Sequence, residues 1–200
     1  MRAAAALLSD EDLLASLRAG GAGAFEEVVA RYGARVLNTC LGLVPQRADA
    51  EDLTQEVFVE VYEQLAGFRG EAKLSTWVYR IAVNKCLEWQ RYRKRRKRFA
   101  FLTSLFGADD HAPTHDPPDY EHPGVLAERR EQAAVLLRAV ARLPARQQAA
   151  FTLFHLEGLP HAEIGAALEL SVGAVESLLH RAKASLRQHL GAYYRENMTD

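Results

Sequence analysis

Cysteine is almost missing from this chain, with two among 200 residues, Cys40 and Cys86. Both lie inside apolar helical patterns and form no C-x-x-C pair, which excludes a disulfide framework and a thiolate metal centre and fits reduced core thiols in a cytosolic protein. No apolar run reaches membrane-spanning length, and the opening MRAAAALLSDEDLL turns acidic too soon for a signal peptide. The chain is therefore expected to be soluble and cytoplasmic, without membrane insertion. No run of alternating β-branched residues predicts a sheet. A Walker loop, a G-x-S-x-G elbow and an H-E-x-x-H pair are all lacking, so no enzyme, cofactor or metal site is expected. His111, His115, Asp116 and His122 do cluster, but in a proline-rich stretch that does not preorganise a metal site. Net charge is missing as well: it is −1 for the whole chain, which hides acidic and basic blocks that cancel.

What is present is helical periodicity almost throughout, which predicts an all-α protein. Ser9, Glu11 and Asp12 mark a first helix start, Gly20, Gly21 and Gly23 break that helix, and Phe25 to Val44 carries the second. Asp49 is expected to cap a third helix whose Leu53, Val57, Val61 and Leu65 form a buried stripe, broadened by Phe58 and Tyr62. Gly67 and Gly70 bracket a loop, after which Ser75 or Thr76 is expected to cap a long helix. Two small helical domains follow from this pattern, 1–99 and 125–200, joined by a flexible linker at 100–124 that is rich in Asp, His and Pro. In the second domain, HAEIGAALEL followed by SVGAVESLLHRAKASL has the form of two helices joined by a short turn, with Ser171 as the cap of the second.

Two charged blocks stand out. Glu51, Asp52, Gln55, Glu56, Glu60 and Glu63 cover the polar sides of the third helix. The run RYRKRRKR from Arg91 to Arg98 is basic enough to neutralise several phosphates and release their counterions. Phe68, Trp77, Tyr79, Trp89 and Tyr92 add aromatic surface beside it, a combination suited to stacking single-stranded bases, although most helical aromatics belong to the core.

In their order and spacing, DAEDLTQEVFVEVYEQL, FRGEAKLSTWVYRIAVNKCLEWQRYRKR and LPARQQAAFTLFHLEGLPHAEIGAALELSVGAVESLLHRAKASL resemble the bacterial sigma-70 family. The likeness is to its extracytoplasmic-function group, which has only regions two and four. The resemblance implies an alternative sigma factor that binds core RNA polymerase and directs promoter recognition, DNA melting and initiation. Asp52, Gln55 and Glu56 match the family's polymerase-docking helix. Phe68, Arg69 and Lys73 match its base-capturing loop, and Asn84 matches the amide of its minus-ten helix. Trp77 falls near the melted strand, while Arg80, Lys85 and Arg91 are expected to hold phosphates. In region four, Ser177, His180, Arg181 and Lys183 are the expected minus-thirty-five contacts. Ala174, Glu176 and Leu178 depart from the commoner pattern, and Glu176 repels phosphates although it can accept from cytosine. Members of the family are commonly held by an anti-sigma factor, so the resemblance admits one as a partner beside core polymerase and promoter DNA. The competing reading is a stand-alone helix-turn-helix regulator of duplex DNA, which would have no use for the acidic third helix.

Overall fold

A computed structural model describes residues 9–18, 23–68, 70, 72–105 and 135–197, with side chains described there except at 11, 18, 66, 97–105 and 192–197. Among these residues every regular element is helical: α1 (Asp10–Arg18), α2 (Ala24–Leu43), α3 (Arg47–Gln64), a 3₁₀ turn (Leu65–Gly67), α4 (Leu74–Leu105), helical residues 135–140 (α5), α6 (Ala145–His155), α7 (His161–Leu168) and α8 (Val172–Asn197). No described helix is long and apolar enough to cross a membrane. The expected linker lies, from 106 onward, outside the described residues, as do His111, His115 and His122; α4 itself runs six residues beyond the expected boundary at 99.

Ser9 starts α1 as its sequence indicates, its Oγ accepting from the Asp12 N–H at 3.1 Å. Asp49 does not cap α3. The helix begins at Arg47, and Asp49, already inside its first turn, instead accepts from Arg93 at 3.2 Å. Ser75 and Thr76 likewise fall inside α4, which starts at Leu74, with the Trp77 N–H returning to the Lys73 carbonyl. Both misplacements are of two or three residues, a distance over which helix ends are decided by packing as much as by cap chemistry.

Spacings of three and four put Val28, Tyr32, Val36 and Cys40 of α2, Leu53, Val57 and Val61 of α3, and Val78, Ala82 and Cys86 of α4 into one core. Each of the larger aliphatic side chains contributes about 1.5–3 kcal/mol by leaving water. The Cys86 thiol donates to the Cys40 sulfur at 3.6 Å, and both are free and buried. Tyr62, expected to widen the α3 stripe, is 66% exposed; an edge-to-face contact with Phe25, at 5.1 Å, ties it to α2.

In the second unit α6, α7 and α8 form the helix-turn-helix. Ser171 caps α8, accepting from the Ala174 N–H at 3.3 Å. Glycine is required at Gly165, because a Cβ there would stand 2.7 Å from the Leu170 carbonyl oxygen. Glu169 closes the turn at φ 56, a left-handed conformation that costs a non-glycine residue about 1–2 kcal/mol. A separate cluster of Val140, Leu143, Ala182 and Leu186 anchors α5 to α8.

The two units are not independent bodies. Ala149, Ala150, Leu153, Ile164 and Val175 of the second belong to the same buried cluster as the first. Gly42 lets α6 approach α2: its carbonyl accepts from Gln148 at 2.9 Å and Thr152 at 3.3 Å, and a Cβ on it would meet the Thr152 side chain at 2.7 Å. The Gln90 amide bridges the Leu43 carbonyl and Gln148 from α4.

Candidate nucleic-acid and polymerase interfaces

The acidic residues of α3 form an open surface. Asp52, Gln55 and Glu56 are exposed on successive turns, with Val59 at 58% exposure among them. They line one shallow depression together with Glu60, Glu63, Gln64 and Lys85. Apolar Val59 framed by carboxylates is a surface that a basic helix with an apolar seam would complement.

Lys85 belongs to this surface as much as to the next one. Its ammonium lies 2.9 Å from Glu60 and 3.9 Å from Glu56, and the hydrogen bond to Glu60 holds its pKa above the ordinary lysine value. Expected as a phosphate contact, it is drawn toward α3 because it faces that helix from the middle of α4.

The basic face is distributed along α4. Asn84 and Arg91 are exposed, Arg91 lying 3.9 Å from Glu88, and Lys94, Arg95 and Arg96 point to solvent beyond them. Arg93 is committed elsewhere: it bonds Gln46 at 2.9 Å and Asp49, and stacks on Trp89 with its guanidinium 4.9 Å from the ring centre. Tyr92 is 55% exposed, so the aromatic available for stacking near this charge is Tyr92.

At the N-terminal end of α4 the expected base-capturing residues are covered. Phe68 and Trp77 stack on each other at 4.7 Å, both under 10% exposed. Arg69 lies outside the described residues. Lys73 is exposed, but its ammonium is 2.5 Å from Glu163 of α7, and that bond raises its pKa. Arg80 stands 3.8 Å from Glu169. Such exposed pairs are screened by solvent and add little to stability.

A group that sequence reasoning missed holds this end together. Glu157, in the turn after α6, is buried; its Oε2 accepts from the Tyr79 hydroxyl at 2.7 Å and from Arg35 at 3.1 Å. Arg35 also donates to the Glu157 carbonyl at 3.0 Å and lies over the Tyr79 ring, 5.4 Å from its centre. Burial and then Glu157 hold the Tyr79 phenol well above the ordinary tyrosine range, so it stays a donor. Glu157 Oε1 has no hydrogen-bond partner among the described residues. Gly158 makes the turn, at φ 68, returning the Leu159 N–H to the Leu153 carbonyl. No local sequence pattern marks this cluster, since its members lie 78 and 122 positions apart.

On α8 the second expected DNA face is open. Ser177, His180, Arg181 and Lys183 are all exposed on one side, with Ser177 Oγ bonded to the Gly173 carbonyl and Arg181 Nε to the Ser177 carbonyl at 3.1 Å. Glu176 shares this side and lies 3.7 Å from His161, while Leu178 is turned inward and buried. A helix presenting polar and basic side chains from the second position of a helix-turn-helix has the shape of a major-groove reader.

The family description "Sigma-70 region 2" matches residues 28–98, and "Sigma-70, region 4" matches residues 133–186. The RNA polymerase sigma-H factor of Pseudomonas aeruginosa is 30% identical over 187 residues, covering 94% of this chain and 96% of that protein. The chain belongs to the sigma-70 family. The ECF RNA polymerase sigma-E factor of Escherichia coli K12, 30% identical over 90% of this chain and 93% of its own length, places it in the extracytoplasmic-function group. Among solved structures, CnrH in complex with the cytosolic domain of CnrY superposes with a TM-score of 0.65 at 25% identity, over 92% of this chain and 97% of that one. The sigma factor RpoE of Bartonella quintana, crystallised with the anti-sigma factor NepR, shares the fold at 20% identity, with a TM-score of 0.65 over 84% of this chain and 98% of that one. For a sigma-70 family member the acidic α3 and the two basic faces fall in the segments assigned to regions two and four.

Proposed function

We propose that this sigma factor docks on core RNA polymerase through Asp52, Gln55 and Glu56, and reads promoter DNA with two separate surfaces. The observation that carries this is the opposition within one bundle of an open carboxylate row on α3 and a basic, aromatic-flanked α4. A duplex-binding regulator has no use for the first.

At the minus-ten element, Lys73, Arg80 and Arg91 hold phosphates, Asn84 reads a base edge with an amide that both donates and accepts, and the loop of Phe68 and Arg69, backed by Trp77, captures an extruded base. Lys85 serves at the border, steadying Glu56 and Glu60 while facing the same strand. At the minus-thirty-five element, Ser177, His180, Arg181 and Lys183 enter the major groove, with Arg181 the principal base or phosphate contact. Glu176 favours cytosine and weakens phosphate affinity, so region four depends on polymerase to stay bound. Melting needs no chemistry from the protein: unpaired bases bind more tightly than paired ones, and that difference shifts the duplex toward the open state. The factor works without cofactor or metal, in the cytoplasm where polymerase is, and an anti-sigma factor is a partner of the kind crystallised with RpoE of Bartonella quintana.

The test is transcription in vitro from fragmented genomic DNA with core polymerase and the purified chain. Discrete new start sites sharing two upstream elements are expected. No starts beyond those of core polymerase alone, combined with specific duplex binding by the chain without polymerase, would replace this reading with the stand-alone regulator.

A further inference from the structure

We infer that Cys40 and Cys86 form a redox modification site inside region two, which a hydroperoxide converts to a disulfide tying α2 to α4. Neither polymerase docking nor promoter reading uses these thiols.

The geometry is that of a pair placed to bond. The two residues stand 46 positions apart, on different helices, yet the Cys86 thiol points at the Cys40 sulfur from 3.6 Å. A disulfide needs the sulfurs at about 2 Å, a closure within reach of small side-chain rotations. The chain holds no third cysteine, so no other pairing within it competes. Cys40 also lies against the Thr54 hydroxyl of α3, and Thr54 is itself only half-buried, so the pair sits one side chain beneath the surface of that helix.

The two sulfurs are not equivalent. The hydrogen bond from Cys86 holds the Cys40 pKa below the ordinary thiol value against the opposing effect of burial, with Thr54 helping, while the same bond and burial push Cys86 well above it. Cys40 is therefore the attacking sulfur and Cys86 the resolving thiol. Cys40, its proton given to water, attacks one peroxide oxygen; the O–O bond breaks, and the leaving hydroxide takes up a proton, giving water and a sulfenic acid. The Cys86 sulfur then attacks the Cys40 sulfur, the S–O bond breaks, and the hydroxyl departs with the Cys86 proton as a second water. Two thiols lose two electrons in all, and one hydrogen peroxide becomes two waters.

Complete burial of both residues sets the class of oxidant. A small, uncharged hydroperoxide can enter on local opening, whereas a bulky charged disulfide such as oxidised glutathione cannot reach either sulfur for exchange. Burial also keeps Cys86 against the sulfenic acid before a second peroxide arrives, so oxidation stops at a reversible stage. The bond closes a loop that contains all of α3, and Cys86 stands two residues beyond Asn84 on α4. Oxidation thus staples the helix assigned to minus-ten reading to its neighbour, and stabilises region two by restricting its unfolded chain.

The purified chain would be treated with hydrogen peroxide or with oxidised glutathione, following free thiols, intact mass and thermal unfolding. In peroxide the wild type is expected to lose both thiols and the mass of two hydrogen atoms, without disulfide-linked dimers. It should then unfold about 5 °C or more higher until dithiothreitol reverses the change. Cys86→Ser keeps the attacking sulfur without its resolver and should trap dimedone at Cys40 in peroxide; Cys40→Ser should trap none at Cys86. Folded wild type that keeps both thiols where the urea-unfolded chain loses them overturns the site. Disulfide-linked dimers, or a dimedone adduct at Cys86 in place of Cys40, overturn the assigned chemistry. An oxidised protein that unfolds no higher than the reduced one overturns the staple, and equal reaction with oxidised glutathione overturns the hydroperoxide as its oxidant.

Discussion

The outer face of α3 and the N-terminal end of α4 belong to one bundle and are both densely charged, yet one is open and the other covered. On α3 the carboxylates point to solvent, with Lys85 their one cross-helix cation within the depression they line. On α4, Lys73 and Arg80 meet carboxylates from the second unit, and the aromatic pair Phe68 and Trp77 is packed away. Charge patterning alone would rank the two surfaces as equally available. Their difference arises from where the second unit rests.

The comparison breaks most severely if the shared core fails. Leu153, fully buried between the units, should cost about 2–5 kcal/mol as Leu153→Ala, read by denaturant unfolding, and the loss should fall on the covered side, with amide exchange rising in the first turns of α4 before it rises in α3. A uniform rise across both helices would contradict the asymmetry. Tyr79→Phe removes a hydrogen bond to a buried carboxylate and should cost about 1.5–3 kcal/mol, while leaving polymerase affinity intact. Stability unchanged by Tyr79→Phe would mean that Glu157 is held by Arg35 alone. Arg181→Ala tests the other open surface: about 1–3 kcal/mol of promoter affinity should be lost in the polymerase complex at the minus-thirty-five element, with melting at the minus-ten element unaffected once the complex has formed.

The smallest effect is a pH dependence. Burial, and then the charge of Lys183, hold the His155 pKa below its ordinary 6.5. Below that value the unfolded chain takes up more protons than the folded one, so stability present above about pH 6.5 is lost as the pH falls through the lower folded pKa. His155→Gln should flatten this part of the stability profile; profiles that stay parallel across the range would show that other groups carry it.

Features written over a few residues were legible in the sequence. The helical periods, the caps at Ser9 and Ser171 and the helix-turn-helix depend on neighbours one to four positions apart, and each is found close to its expected place. Asp49, Ser75 and Thr76 are good capping residues that packing places one turn too deep. The exposure of Tyr62 and the burial of Tyr79 were not legible, because which face of a helix is covered depends on elements distant in the chain. Arg35 and Glu157 stand 122 positions apart, and Tyr79 and Glu157 78 apart. No local pattern joins them, and their chemistry is visible only once the two units are packed.

The most direct test is titration of core RNA polymerase with fluorescently labelled chain, wild type against Asp52→Lys with Glu56→Lys. Both residues are exposed and the reversal leaves the core untouched, so helix content and thermal unfolding should match wild type. The account predicts saturable wild-type binding and a loss of about 100-fold or more in the reversal, the scale on which paired charges across an interface act. Equal binding by the two proteins, or none by a folded wild type, would contradict it.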